Sequence, residues 1–140
     1  MKRSTRIILE IGNSIVLIKR RKKIDGKIKE FYAIPGGIVE ENESWEEAGI
    51  REAKEELDVE IVIDSMLTEE YNEDLDKIER FYFAKLIKGT PKNGKGEEFV
   101  NQDINSKYGT YEVVKINKKE IGSYNILPVT IKDLLVATYI

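Results

Sequence analysis

The feature that most constrains this 140-residue chain is one strongly marked helix in its acidic middle. Ser44 followed by Glu47 has the form of a capping box, which starts a helix by satisfying free backbone N–H groups. Residues 45–57 are mostly helix-compatible, with Gly49 as the weak point at about 1 kcal/mol relative to Ala. The helical spacing predicts a narrow apolar stripe that faces the core, formed by Ile50, Ala53 and Leu57.

Runs of β-branched and apolar residues on both sides of that helix predict strands. Gly12-Asn13 predicts a hairpin turn, and the basic run 19–23 is expected to leave the second strand for a loop at Asp25-Gly26. Residues 128–139 predict a closing helix. Together these elements predict an α/β (α+β) sandwich with a mixed sheet. The predicted strands are residues 6–11, 14–18, 31–34, 59–63, 78–87 and 111–116.

The absence of two residue types limits the chemistry available to the chain. Without Cys and His, disulfide frameworks, thiolate or imidazole metal ligands, Cys nucleophiles and His-based proton transfer are all excluded. Carboxylates, amines, hydroxyls and backbone groups remain, or a metal held by oxygen, which favours hard cations. Length and a hydrophobic content of 41% fit one domain over residues 1–140.

The net charge of −3 hides an uneven distribution along the sequence. Residues 1–39 carry +7, residues 40–79 carry −14 and residues 80–140 carry +4. An acidic block between basic flanks suggests a cation site surrounded by anion-binding groups, whereas a solvated acidic surface is the ordinary alternative. The acidic residues within 69–76 are expected to form such a solvated loop.

Three glutamates of the predicted helix share one side of it. A rotation of about 100° per residue places Glu52, Glu55 and Glu56 within an arc of about 100°, away from the apolar stripe. Like charges at this spacing repel, and a divalent cation such as Mg²⁺ or Mn²⁺ would reverse the sign. Just before the helix, Gly36 and Gly37 permit a tight turn and a close approach of a ligand to the main chain.

Residues 37–59 resemble the signature of the Nudix hydrolases, the MutT-like family. The family pattern is Gly, five residues, Glu, seven residues, then Arg-Glu-apolar-X-Glu-Glu-X-Gly-apolar. The chain departs from it at Asp58, where the family has Gly, and Asp adopts the left-handed helix end less readily than Gly. The resemblance implies a Nudix-type α/β/α sandwich with one catalytic helix and a C-terminal helix. The matching residues are Gly37, Glu43, Arg51, Glu52, Glu55 and Glu56.

The resemblance also implies a metal site on this helix, with Mg²⁺ or Mn²⁺ as cofactor. Glu55 and Glu56 correspond to metal ligands, and Glu52 to a ligand or to the base that activates water. The carbonyl of Gly37, next to Gly36 in the tight turn, corresponds to a group that completes the metal shell.

Two further parts of the catalytic machinery follow from the same resemblance. Arg51, paired with Glu43, corresponds to the residue that orients the acidic cluster, with an ordinary surface ion pair as the alternative. A further acid is expected from the loop predicted at residues 90–105, where Glu97 is preferred over Glu98.

The residues that recognise the substrate are less determined. Arg20 and Arg21 follow the second predicted strand and are candidates for contacting phosphates, with a solvated basic loop as the alternative. Tyr108 is a candidate for stacking on a nucleobase.

The expected activity is metal-dependent hydrolysis of a diphosphate linkage in a nucleoside diphosphate derivative or a nucleoside triphosphate. Two alternatives stay open, a nucleotide-binding sensor without catalysis and an RNA 5′-end pyrophosphohydrolase. No apolar stretch approaches about 20 residues and no signal-peptide pattern is present, which favours a cytoplasmic location and no membrane partner. The oligomeric state, with a homodimer among the options, is not determined.

Overall fold

Eight strands, two α-helices and a 3-10 helix make up the part of the chain that the computed structural model describes, residues 1–95, 99 and 102–140. The elements in chain order are β1 Lys2–Ile11, β2 Ser14–Ile24, β3 Lys27–Ala33, β4 Gly36–Ile38, α1 Trp45–Leu57, β5 Glu60–Asn72, β6 Lys77–Lys88, β7 Thr110–Asn117, the 3-10 helix Lys118–Ser123, β8 Ile126–Leu127 and α2 Val129–Tyr139.

The strands form one mixed sheet that opens between β1 and β2. The main order is β5-β6-β1-β2-β3-β8, with β4 paired to β1 and β7 paired to β2. β1 and β2 are paired only beside their hairpin turn, where Glu10 opposes Ile15 and Ile11 opposes Ser14. Farther along, β1 takes β4 as its neighbour and β2 takes β3. The two strands therefore diverge and leave a cleft between the halves of the sheet.

The two α-helices cover opposite faces of this sheet, which confirms the predicted α/β/α sandwich. Successive residues of β1 point to alternate faces, as in any strand. Ile7 and Leu9 join the core beneath α1. Ile8 joins the core on the other face, together with Leu135 of α2.

Helix α1 begins and ends where the sequence predicts, but its buried face differs. Ser44 and Glu47 form the reciprocal capping box, in which Glu47 N–H donates to Ser44 Oγ at 3.0 Å. Asp58 ends the helix in the left-handed conformation, with φ 56° and ψ 42°. The predicted stripe is wrong at Ile50, which is 43% exposed. The buried residues of the helix are Ala48, Gly49, Ala53, Glu56 and Leu57.

Close packing of α1 against the sheet explains the shift of its buried face towards small residues. A Cβ at Gly49 would lie 3.0 Å from Thr5 Cγ2 and 3.3 Å from Ile63 Cδ1. Glycine therefore allows the helix to approach β1 and β5 closely, and the packing offsets its poor helix propensity.

Strand β2 corrects the prediction that the basic run forms a loop. Residues 19–23 continue the strand to Ile24, and Asp25-Gly26 forms the two-residue turn of a second hairpin, with φ 52° and 77°. The run stays in the strand because β3 pairs with it throughout. Glu30 on β3 lies 3.4 Å from Lys19 Nζ and 3.8 Å from Arg21 Nε, which compensates part of the basic charge.

Strand β5 corrects part of the prediction that the acidic residues within 69–76 form a loop, because Glu69 and Glu70 lie in the strand whereas residues 73–76 form a turn. The strand extends to Asn72 and forms a long hairpin with β6, so only the residues between these strands form its turn. Glu69 on β5 accepts a hydrogen bond of 2.7 Å from Arg80 Nε. β5 lies at the edge of the sheet, where charged side chains are tolerated and discourage edge-to-edge association.

The short elements were not predicted because two or three residues carry too little periodicity. Among them β4 has the largest effect on the site, since it pairs with β1 and fixes Gly36 and Gly37 beside α1. In the described part of the chain, no helix is both long and apolar enough to cross a membrane.

Candidate active site

The 34–37 turn, which leads from β3 into β4, is bonded directly to α1 through Gly36. The Gly36 N–H donates to Glu56 Oε1 at 2.7 Å, and this contact is buried. Gly36 has φ 148°, and a Cβ there would collide with the backbone of Thr5 and Arg6, so the β1–β4 pairing requires glycine. The backbone therefore fixes the direction of one carboxylate oxygen of Glu56.

Gly37 brings a second carboxylate against the same turn. A Cβ at Gly37 would overlap Oε1 and Cδ of Glu52. The Glu52 side chain is 14% exposed. Burial raises the pKa of Glu52 above its ordinary value, although Arg51 beside it acts in the opposite direction. A positive charge close to Glu52 is thus favourable at this place.

Arg51 connects the loop, the turn and the helix. Its Nε and Nη2 donate to the two carboxylate oxygens of Glu43 at 2.8 and 3.0 Å, a bidentate pair. Nη1 donates to Glu52 at 3.0 Å and to Glu55 at 3.3 Å, and Nη2 also donates to the Ile38 carbonyl at 2.9 Å. The hydrogen bond from Arg51 holds the pKa of Glu43 below its ordinary value. Arg51 therefore bonds several acceptors, whereas an arginine in an ordinary surface ion pair bonds one carboxylate.

The glutamates of α1 carry carboxylate oxygens on one side of the helix but do not form a complete metal shell. Among the described residues, no three acidic side chains are grouped so that they would hold a metal ion. Arg51 Nη1 lies between the carboxylates of Glu52 and Glu55, so a positive charge already bridges them. Glu55 is 53% exposed, which leaves its side chain room to turn. Oxygen donors beside a turn that has no Cβ atoms fit a hard cation such as Mg²⁺ or Mn²⁺.

The predicted loop acids, Glu97 and Glu98, lie outside the described residues, so their role stays a prediction. The segment that leads towards them is attached to the end of α1. Lys92 N–H donates to the Leu57 carbonyl at 3.1 Å, and Gly94 N–H donates to the Glu56 carbonyl at 2.9 Å.

A cleft of about 330 Å³ occupies the opening in the sheet. Its charged lining consists of Arg6, Arg20, Lys77 and Glu79, which leaves it net positive. The remaining lining comes from β3, β6, the turn of the β5–β6 hairpin and the segment before α2, namely Ala33, Ile34, Asn72, Leu75, Phe81, Leu127 and Pro128. A volume of this size is at the lower end of the range for small-molecule sites.

Arg20 is the predicted substrate-binding residue that lies in this cleft. Its guanidinium carbon is 3.7 Å from the centre of the Tyr111 ring and 5.5 Å from that of Phe31. Nη2 donates to the Tyr108 carbonyl at 2.6 Å, and the buried Nε has no hydrogen-bond partner within the described part of the chain. Burial lowers the pKa of Arg20 from its ordinary value. The guanidinium is therefore held in place against the Tyr111 ring and the Tyr108 carbonyl.

The other two predicted substrate-binding residues do not line the cleft. Arg21 pairs with Glu30, and the exposed ring of Tyr108 lies 5.6 Å from Lys107 Nζ. Tyr108 takes part only through its carbonyl, which accepts the bond from Arg20. A contact of either side chain with substrate stays a prediction.

Three charged residues on the floor of the cleft were not predicted from the sequence. Arg6 Nε lies 3.0 Å from Glu79 Oε2, and Lys77 Nζ lies 3.6 Å from the same oxygen. Arg6 and the apolar Ile8 are two residues apart in β1, so their side chains lie on the same face of the sheet. This spacing can be read from the sequence. Arg6 is the first residue of the predicted strand, and a charge at the end of a strand does not by itself indicate a function.

Comparison with known proteins identifies the family of the chain. The NUDIX domain profile matches residues 1–127 of the chain. The chain belongs to the Nudix family, which confirms the resemblance of residues 37–59 to the family signature.

The sequence relative found is the ADP-ribose pyrophosphatase of Methanocaldococcus jannaschii. It is 49% identical over 49 residues, which are 35% of this chain and 27% of that protein. The match thus spans little more than a quarter of the length of that relative.

Several solved structures share the fold. The E. coli ORF135 protein superimposes with a TM-score of 0.67 at 23% identity, covering 99% of this chain and 88% of that chain. A NUDIX hydrolase from Nitrosomonas europaea has a TM-score of 0.65 at 25% identity, and the match covers 96% of this chain and 67% of that chain. A structure of MutT, from an analysis of the Aliivibrio salmonicida and Vibrio cholerae proteins, has a TM-score of 0.70 at 17% identity. The match covers 97% of this chain and 96% of that chain.

Proposed function

We propose that the protein is a pyrophosphohydrolase that depends on Mg²⁺ or Mn²⁺ and cleaves a diphosphate linkage in a nucleoside diphosphate derivative or a nucleoside triphosphate. The observation that carries the proposal is the Arg51 network, which holds Glu43, Glu52 and Glu55 together beside the Gly36–Gly37 turn. Family membership and the pyrophosphatase relative support the same reaction class.

In this proposal each residue of the site has a defined task. Glu52, Glu55, Glu56 and the Gly37 carbonyl would hold the cation, which when bound polarises phosphoryl oxygens and lowers the pKa of water. Arg51 keeps Glu52 and Glu55 in position through Nη1. The base that takes the proton from water is Glu52 or the loop residue Glu97.

The cleft is the proposed place for the part of the substrate beyond the diphosphate. Its positive lining suits a phosphorylated ligand, and its volume suits a fragment of nucleoside size. Arg20, which lines the cleft and is held against Tyr111, is the proposed anchor for an acceptor group of the substrate.

The direct test is turnover by the purified protein with a panel of nucleotides. ADP-ribose, other nucleoside diphosphate derivatives and nucleoside triphosphates would each be incubated with Mg²⁺ or Mn²⁺, and products separated by chromatography. Hydrolysis of at least one substrate at its diphosphate linkage is expected. A folded protein that turns over none of them with either metal would contradict the proposal.

Substitution of Glu56 tests the site itself. Glu56→Gln keeps an amide oxygen that can still accept the Gly36 N–H, so the fold is expected to remain, while a charged metal ligand is lost. We expect the hydrolysis rate to fall about 10²-fold or more. Glu120→Gln, an identical chemical change at an exposed position of the 3-10 helix, is the matched control and should retain the rate.

Two alternatives to this proposal give other results in the same experiments. A nucleotide-binding sensor would show a rise in melting temperature with ligand but no product. An RNA 5′-end pyrophosphohydrolase would bind RNA with a steep dependence on salt and would release pyrophosphate or phosphate from its 5′ end.

A further inference from the structure

The turn at residues 34–37 is held from both faces of the sheet. On the α1 face, Glu56 accepts the Gly36 N–H at 2.7 Å. On the opposite face, Arg6 Nη1 donates to the Ile34 carbonyl at 3.3 Å and to the Gly36 carbonyl at 3.1 Å. One guanidinium nitrogen therefore links the two carbonyls that flank the Pro35-Gly36 peptide, directly behind the group that orients Glu56.

The position of Arg6 follows from the strand pairing. Arg6 opposes Gly36 of β4 and Phe81 of β6, and Phe81 belongs to the core on the α2 face. Its neighbour Thr5 faces α1 instead, where Oγ1 donates to the Trp45 carbonyl at 2.7 Å. Alternation along β1 thus sends Arg6 to the cleft side and leaves only backbone between its guanidinium and the acidic site.

The guanidinium of Arg6 is itself anchored. Nε donates to Glu79 Oε2 at 3.0 Å, and Lys77 Nζ lies 3.6 Å from the same oxygen. The Glu79 side chain is only 16% exposed, so water screens this pair less than it would a surface pair. Arg6 uses Nε for Glu79 and Nη1 for the carbonyls, a division that needs the forked shape of an arginine.

We propose that Arg6 is a positioning residue for the metal site: it fixes the carbonyls of Ile34 and Gly36, and together with the Ile7 N–H, which donates to the Pro35 carbonyl between them at 2.7 Å, it maintains the Gly36 peptide that orients Glu56. Arg6, Lys77 and Glu79 also line the cleft, so the same cluster joins the floor of the cleft to the acidic helix. The inference rests on the proposed function, since it gives Arg6 a role in binding the cation of that reaction.

The test compares three variants with Mn²⁺ alone as the probe. Arg6→Gln removes the fork, Arg6→Lys retains a cation but cannot make both sets of contacts, and Arg80→Gln is the control. Arg80 lies on the neighbouring strand, pairs with Glu69 at 2.7 Å and stacks on the Trp45 ring at 4.3 Å, so these contacts are with β5 and the first residue of α1 rather than with residues 34–37. The affinity for Mn²⁺ would be measured by electron paramagnetic resonance, and the exchange protection of the Gly36 amide by NMR without metal.

Arg6→Gln is expected to weaken Mn²⁺ binding about 10-fold or more and to speed exchange of the Gly36 amide. Arg6→Lys should recover part of both effects, and it also keeps the test usable if the glutamine variant fails to fold. Arg80→Gln should change neither quantity. In hydrolysis, kcat should fall because cation placement is altered, and KM should rise as well because Arg6 also lines the proposed substrate cleft.

Unchanged Mn²⁺ affinity and Gly36 exchange in both Arg6 variants would overturn the inference, even if their melting temperatures fall. In that case normal Mn²⁺ binding and turnover by the unaltered protein would leave the proposed function standing. Failure of the unaltered protein to bind Mn²⁺ or hydrolyse any substrate would instead overturn both.

Discussion

At the residue scale, the two glycines of the turn are required for different reasons. A Cβ at Gly36 would meet backbone atoms of Thr5 and Arg6, which cannot move without breaking the β1–β4 pairing. A Cβ at Gly37 would meet the end of the Glu52 side chain, which is able to swing away. The first glycine therefore serves the fold, whereas the second keeps room for a carboxylate.

Gly37→Ala is expected to separate activity from stability. The methyl group displaces the Glu52 carboxylate, so the hydrolysis rate should fall at least about 10-fold while the free energy of unfolding changes by less than about 1 kcal/mol. Rate measurements and urea denaturation check the two parts. Gly122→Ala is the matched control, because no atom lies within 4 Å of its added Cβ. A Gly37→Ala variant with full activity would contradict the placement of Glu52.

How far the sequence predicts the site depends on whether the partners are close along the chain. Arg51, Glu52, Glu55 and Glu56 share one helix, so their grouping follows from helical spacing, and the pairing of Arg51 with Glu43 follows from the family pattern. Arg6 and Glu79 are separated by 73 residues and meet only because β1 pairs with β6. No local pattern in a single sequence contains that information.

At the element scale, α1 shows strong agreement between sequence and structure. Its start is set by a local side-chain hydrogen bond and its end by the left-handed Asp58, and both signals can be read from neighbouring residues. The buried face was less predictable, because the tight contact of Gly49 with Thr5 is a property of packing. Likewise the basic run 19–23 is in a strand because β3 covers it, and its composition alone favours a loop.

Ser44→Ala tests the contribution of the cap to this element. Loss of the Oγ acceptor leaves the Glu47 N–H unpaired, and we expect a decrease of about 1 kcal/mol in the free energy of unfolding. Ser44→Thr retains the hydroxyl and should remain within about 0.5 kcal/mol of the unaltered protein. Denaturation curves of the three proteins give the comparison, and equal stability of the Ala variant would count against the capping role.

At the scale of the whole molecule, Glu10 joins the beginning of the chain to its end. One carboxylate oxygen accepts from Lys85 at 2.7 Å, and the other accepts from the Tyr139 hydroxyl at 2.6 Å and lies 3.4 Å from Lys118. Burial by itself raises the pKa of Glu10, but the hydrogen bonds from Lys85 and Tyr139 and the charge of Lys118 together hold it below its ordinary value. Burial and the bond to Glu10 raise the pKa of Tyr139.

The lowered pKa of Glu10 has a consequence for stability against pH. A carboxyl whose pKa is lower in the folded state stabilises the protein above its unfolded pKa, near 4.3, and loses this effect as the pH falls through the folded pKa. Glu10→Gln should therefore cost about 1.5 kcal/mol at pH 7, and the difference from the unaltered protein should shrink between pH 5 and 3. Denaturation at several pH values measures it, with Glu120→Gln as control. A gap that stays constant down to pH 3 would contradict the interpretation.

The cleft at the opening of the sheet and the acidic helix are built largely from different parts of the covalent chain. The outer walls of the cleft come from the tip of the β5–β6 hairpin and from Leu127-Pro128, and neither segment contains a residue of the family signature. The lining of the cleft can therefore be changed by exchanging two short surface segments while α1 is left unaltered. Under the proposed function, the hairpin tip is therefore the first segment to exchange in order to alter substrate choice without disturbing α1.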